Sequence, residues 1–251
     1  MMTLINLIAF LAMVVVNALS ATGFLGGKTT GEVSDAYQNL FTPAGWTFSI
    51  WGVIYLLLFV FVIAAFFNNS AKLATDQIGY WFFASCAFNI LWVFAWHLDI
   101  IWLSMIMMIG LLVSLVVMFT RLSGMFNLFT AGFSVYLGWI MVATIANFVV
   151  LLVSLGVDGM NNGAQLFVVT VLPVAALLMA SISFFRDDWL ISLTGMFAFA
   201  GIIAKHVSKS GFSGKYTSVI ASASIGAIIL FIGIVYVFST LMQVRAAAKG
   251  A

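Results

Sequence analysis

Apolar runs as long as a bilayer is thick dominate this chain. A helix needs about 20 apolar residues to cross the hydrocarbon core. Eight runs of that kind are legible, at residues 3–23, 47–67, 79–97, 100–120, 128–153, 165–185, 189–206 and 217–243. They are continuous rather than alternating, which excludes the pattern of a membrane barrel. Backbone groups in lipid must bond internally, so each run reads as a helix. The expected fold is an all-α integral membrane protein with eight spans, or seven with one segment lying in the interface. The thinnest separation is Trp96-His97-Leu98-Asp99, a tight hairpin between the third and fourth runs. Residues 3–19 end in small residues at Ala18-Leu19-Ser20, as a signal peptide does. They lack a basic leader, so they read as a retained first helix.

Charge supports the same reading. Nine basic and seven acidic residues make up 6% of the 251 residues, against about 25% in a soluble domain. So few cannot cover a water-exposed surface. A soluble enzyme, a nucleic-acid binder and a disulfide-stapled secreted domain are excluded. The single cysteine, Cys86, leaves no internal disulfide and no cysteine-rich metal site, and two histidines (His97, His206) do not make a metal cluster. The charges gather in the breaks between runs. With eight spans, one side holds the termini with Lys72, Arg121, Arg186, Arg245 and Lys249. The other holds Lys28, Lys205, Lys209 and Lys215. Five against four barely orients the chain; the basic tail leans the termini toward the cytoplasm.

Ion-coupled transporters carry ionisable groups deep in the bundle. Here every one lies in or beside a break. Lys205 comes nearest to an exception. As a functional residue it would be a Schiff-base lysine for a retinal-like aldehyde. As a structural one it is a helix-end lysine reaching to the interface. No acidic partner precedes it on its own helix face, which favours the second reading.

Three aromatic and amide clusters stand out. In Pro43-Ala44-Gly45-Trp46-Thr47-Phe48-Ser49-Ile50-Trp51-Gly52-Val53-Ile54-Tyr55 a loop turns into a helix, which Thr42 or Thr47 can cap. Trp51 and Tyr55 are four apart and share a face. Asn89, Trp92 and Trp96 form a second stripe. An amide in hydrocarbon needs a partner, so Asn89 should face the bundle. Tyr136, Trp139, Ala143 and Asn147 form a third, with large aromatics at one end and a small residue further along. That face can accept a flat apolar ligand. It also suits ordinary helix packing, and spacing alone favours packing.

Taken together, these clusters resemble the TspO/MBR family, the tryptophan-rich sensory proteins. The family's helix-start pattern appears as Phe48-Ser49-Ile50-Trp51-Gly52-Val53-Ile54-Tyr55. Its Asn-x-x-Trp appears as Asn89 and Trp92, and its fifth-helix pattern as Val135, Tyr136, Trp139, Ala143, Ala146 and Asn147. The resemblance covers residues 1–153 and is closer, around Phe41–Tyr55, to long bacterial members. The prolines that precede Trp51 and Tyr136 in the family are absent, and so is a sterol-type pattern near the end of the fifth helix.

The resemblance implies a five-helix core at 1–155 around a lipophilic pocket, lidded by the loop between helices one and two. Residues 156–251 then add about three transmembrane helices. Site residues would be Trp51, Tyr55, Asn89, Trp92, Tyr136, Trp139, Ala143 and Asn147. The ligand would be a porphyrin or haem-type molecule or a similar flat lipophile, with no covalently bound cofactor and no metal. Some members degrade porphyrin photochemically. Expected partners are the lipid bilayer, the lipophilic small molecule, and a second copy or a membrane complex; nucleic acid is not among them. The expected location is a bacterial cell membrane.

Beyond Gly156 no motif guides the reading. Ser218, Ser222 and Gly226 recur four apart with Ala223 and Ala227 alongside, a stripe suited to close packing within the chain or against another subunit. Two functions from different classes compete. One is a receptor or carrier for tetrapyrrole-like lipophiles. The other is a structural subunit of a larger membrane complex, which side chains filling the Trp51/Trp92/Trp139 space would favour.

Overall fold

The computed structural model describes the backbone of residues 1–250 and the side chains of residues 1–243. Arg245 and Lys249 therefore lie outside the described side chains. Ten α-helices and no strands occur among the described residues. They are α1 (Met2–Ala21), α2 (Thr30–Ala36), α3 (Ile50–Ala64), α4 (Asn69–Ile78), α5 (Trp81–His97), α6 (Ile101–Arg121), α7 (Ala131–Ser154), α8 (Asn162–Arg186), α9 (Trp189–Val207) and α10 (Thr217–Gly250). A 3₁₀ turn at Gly45–Ser49 leads into α3. Seven segments are long and apolar enough to cross a membrane. An eighth is added if α4 and α5, which meet at a 70° bend, count as one span.

Two helices fall where only polar breaks were expected. α2 stands on a capping box: Thr29 Oγ1 accepts from the Glu32 amide, and the Glu32 carboxylate accepts from the Thr29 amide. α4 starts at Asn68, whose side chain accepts from the amides of Ser70 and Ala71. It ends at Gly79, whose φ of +55° turns the chain sharply into α5. By contrast, neither Thr42 nor Thr47 caps α3. The 3₁₀ turn satisfies that entrance instead, and Thr47 Oγ1 is buried without a partner.

Helices approach closely where glycine meets a bulky neighbour. An added Cβ at Gly110 of α6 would lie 2.5 Å from the Phe88 ring of α5, and one at Gly138 of α7 would lie 3.0 Å from Thr194 of α9. The small stripe of α10 faces its own chain. Gly226 lies under Phe199, Ser222 Oγ donates to Val169 O at 2.7 Å, and Ser218 Oγ accepts from Gln165.

α1, α3, α5, α6 and α7 pack against one another, and α8 and α10 pack together. α9 contacts α7 on one side and α8 and α10 on the other, and it also touches the 3₁₀ turn. Residues 22–49 connect α1 to α3 across the end of the bundle away from the chain termini and close it like a lid.

Candidate functional site

The aromatic stripes of three helices converge under this lid. Trp51 of α3 stacks on Tyr55, with centroids 5.7 Å apart at 21°. It tilts against Trp92 of α5 at 5.9 Å. It also meets Tyr136 and Trp139 of α7 nearly edge-on, at 5.7 Å and 6.3 Å. Trp92 stacks on Trp96 at 5.7 Å, and Phe48 from the 3₁₀ turn stands edge-on to Trp139. Offset and edge-to-face pairs of this kind add about 0.5–1.5 kcal/mol each beyond burial. The cluster is thus cohesive without any charge.

The amides tie it together from behind. Asn17 of α1 donates to Asn89 Oδ1 at 2.7 Å, and Asn89 donates to the Tyr136 hydroxyl at 2.9 Å. Trp92 Nε1 donates to Asn147 Oδ1 at 2.8 Å, and Asn147 Nδ2 donates to Ser104 Oγ at 3.0 Å. Each amide thereby finds the partner that burial in hydrocarbon requires. Two polar atoms of the cluster are buried without one: Trp139 Nε1 and the Tyr55 hydroxyl.

All eight sequence-picked residues lie in or directly behind this cluster, but they meet different spaces. Trp51, Trp92, Trp139, Ala143 and Asn147 line an inner cavity of only about 30 Å³. That is room for about one water molecule. Trp51 and Tyr55 also wall an open slot of about 580 Å³ between α1, α3 and α2, with Phe48, Val14 and Asn17. Asn89 and Tyr136 line neither space; they are fully buried behind the wall. Trp51 therefore separates a nearly filled interior from an open slot.

The sequence reading missed several groups here. Asn17 interrupts the first apolar run, and the same demand for a partner that singled out Asn89 applies to it. Ser104 completes the Asn147 pair. At the mouth of the slot stand Glu32 and Asp35. Glu32 is held below the usual carboxylate range, chiefly by the Thr29 amide, then by the Thr29 hydroxyl and Lys28. Lys205 has an acidic partner after all, Asp35 of the lid, at 2.6 Å. No group of metal-binding side chains occurs among the described residues.

A family model described as TSPO-like protein matches residues 3–236. The chain belongs to the TSPO-like family. No curated protein and no solved structure matches it. The match runs from α1 into α10, and with the apolar helices it makes this an integral, multi-pass membrane protein. At the level of the family, the role is ligand binding or transport in a membrane.

Proposed function

We propose that the chain is a membrane receptor or carrier for flat lipophilic ligands of the tetrapyrrole class, held in the slot against Trp51 and Tyr55. The observation that carries this reading is the slot itself. It has about 580 Å³ of open volume, an aromatic wall of Phe48, Trp51 and Tyr55, and a few polar groups, among them Asn17 in the wall and Glu32 at the mouth. That is the usual composition of a small-molecule site. The stacked Trp51–Tyr55 pair offers a ring a broad face. The Tyr55 hydroxyl is buried behind that face, so the pair meets a ligand through its rings alone. Residues 1–155 would supply this site, and residues 156–251 would support it. The two carboxylates of the slot are engaged, Glu32 by Thr29 and Asp35 by Lys205, so binding rather than hydrolysis or group transfer is the proposed role.

A second reading, an accessory subunit of a membrane complex, draws on the nearly filled inner cavity. One titration separates them. Protoporphyrin added to the detergent-solubilised protein should quench tryptophan emission saturably. Trp51→Phe should weaken binding more than Trp139→Phe, because Trp51 faces the open slot. Linear, unsaturable quenching would discard the ligand reading in favour of the subunit.

A further inference from the structure

The lid is tied to two different parts of the molecule. Its first half is held by α1, α5 and the turn after α5. Ser20 Oγ bonds Thr30 Oγ1 at 2.9 Å, Trp96 Nε1 donates to Thr30 O at 3.2 Å, and the Tyr37 hydroxyl donates to Asp99. Its second half is held by α9. Ala44 N donates to Gly201 O at 3.1 Å, and His206 Nε2 donates to Leu40 O at 3.0 Å. One ion pair, Lys205 to Asp35, links α9 to α2 across 170 residues of sequence.

Asp35 occupies a particular place. Together with Gly45 it lines both the aromatic slot and a second cavity of about 770 Å³. The second cavity differs in character: Gln38, Asn39, Ser208, Ser213, Lys205 and Lys215 face it. Lys205 is 17% exposed and Asp35 54%. The pair therefore stands on the partition between an apolar space and a polar one.

From this geometry we propose that Asp35–Lys205 is a gate latch: it holds α2 at the rim shared by the two cavities and so narrows the open slot, and its release widens the way by which the ligand exchanges with the aqueous side. The proposal rests on the slot being a ligand site. The gate needs little energy to open. A partly exposed ion pair contributes little to stability. α2 is seven residues long and buries only Val33 and Ser34. Short elements with few buried contacts open locally while the rest of a fold stays closed. Thr30 is held by Ser20 and Trp96, and the anchors at Leu40 and Ala44 are backbone bonds further along the lid, so the opening is confined to α2 beyond its first residue. In this arrangement α9 controls access to a site whose walls belong to α1, α3 and the lid.

Two readouts test the gate, one of them without ligand. Amide hydrogen exchange of residues 30–36 is compared among the native protein, Lys205→Gln, Asp35→Asn and the exchanged pair Asp35→Lys/Lys205→Asp. Stopped-flow quenching by protoporphyrin is followed in the same four proteins. Each single variant should speed exchange of those amides, and both association and dissociation of porphyrin, by about fivefold. The dissociation constant should stay within about twofold, because a gate alters rates and not the bound state. The exchanged pair should return the rates toward native values. Native-like exchange in Lys205→Gln overturns the gate, and so do loosened amides with unaltered porphyrin rates. Unsaturable quenching in the native protein overturns the slot as a ligand site, and with it the gate as a ligand route.

Discussion

Gly201 of α9 is one of the points at which the C-terminal helices touch the entrance to the aromatic site, and replacing it with alanine tests that contact. The new Cβ would lie 2.1 Å from Thr47 Oγ1, 2.9 Å from its Cγ2 and 3.0 Å from its Cβ. Rotating the Thr47 side chain moves the first two atoms but not the third, so the 3₁₀ turn itself must recede. With the hydroxyl rotated away, restoring contact at 3.4 Å still requires the Thr47 Cβ to recede by about 0.4 Å. That shift strains the bond from Ala44 N to Gly201 O and carries Phe48, two contacts from Trp51, along with it. Overpacking of this kind costs about 1–3 kcal/mol, and the strained hydrogen bond adds about 1. Alanine in mid-helix returns about 1 kcal/mol in propensity. The net expectation is a loss of about 1–3 kcal/mol. Gly52→Ala is the contrast, since its Cβ would meet nothing within 4 Å. Thermal unfolding in detergent should show a midpoint lowered by on the order of 5 °C for Gly201→Ala, and unchanged or raised for Gly52→Ala. Tryptophan emission should shift only in the first. A Gly201→Ala protein as stable as native would refute the claim that α9 supports the site's entrance.

Three further outcomes follow from the same geometry. Asn147→Leu leaves the buried Trp92 indole N–H without its acceptor and should cost about 1–3 kcal/mol, read as a lowered midpoint; native-like stability would show that the pair contributes nothing. Burial raises the Asp188 carboxyl above its ordinary value, against hydrogen bonds from Ser134 and the Leu190 and Ile191 amides and the nearby Arg186 charge. The folded chain then holds that proton more tightly than the unfolded chain, so stability falls as pH rises from the ordinary carboxyl value through the raised folded value. Asn caps a helix as well as Asp, so the stability of Asp188→Asn relative to native should grow between about pH 4 and pH 7, and a constant difference would contradict this. Glu32 shifts the other way. Its contribution to α2 is present above the ordinary carboxyl value and is lost as pH falls through the lowered folded value. Exchange of the α2 amides should therefore accelerate in acid and not at neutral pH, and a pH-independent rate, after correction for intrinsic exchange, would rule out the capping box as the lid helix's anchor.

How much of this was legible in the sequence depends on the range of the interaction. Spans were readable because crossing a bilayer imposes a length and a composition on each segment alone. The 3.6-residue period placed Trp51 with Tyr55, and Tyr136 with Trp139 and Ala143, on common faces. α2 was missed although its signal is local: Thr29-Thr30-Gly31-Glu32 is a capping-box pattern. α4 was missed because Asn68 caps a segment too polar to read as a span. What no local rule supplies is pairing across the fold. Asn17 with Asn89 and Asp35 with Lys205 lie 72 and 170 residues apart. The Lys205 case shows the limit plainly: searching its own helix face for an acid found none, and the partner came from the lid.

The same pairings decide what kind of recognition the site can perform. Asn89, Tyr136, Trp92 and Asn147 already bond one another or their neighbours, and Asn17 spends its amide N–H groups on Met13 O and Asn89. Breaking any of them to bind a ligand would leave a buried polar group unpaired, at a cost of about 1–3 kcal/mol. Free aromatic faces and the groups at the mouth remain for the ligand. Stacking and burial reward area and flatness, and they discriminate poorly among rings of similar shape. The amides singled out as ligand contacts therefore act one step back, by holding Trp92 and Tyr136 in place against Trp51. Selectivity must then come from the slot's width, which α1 and α3 set, and from the lid, which α9 helps hold.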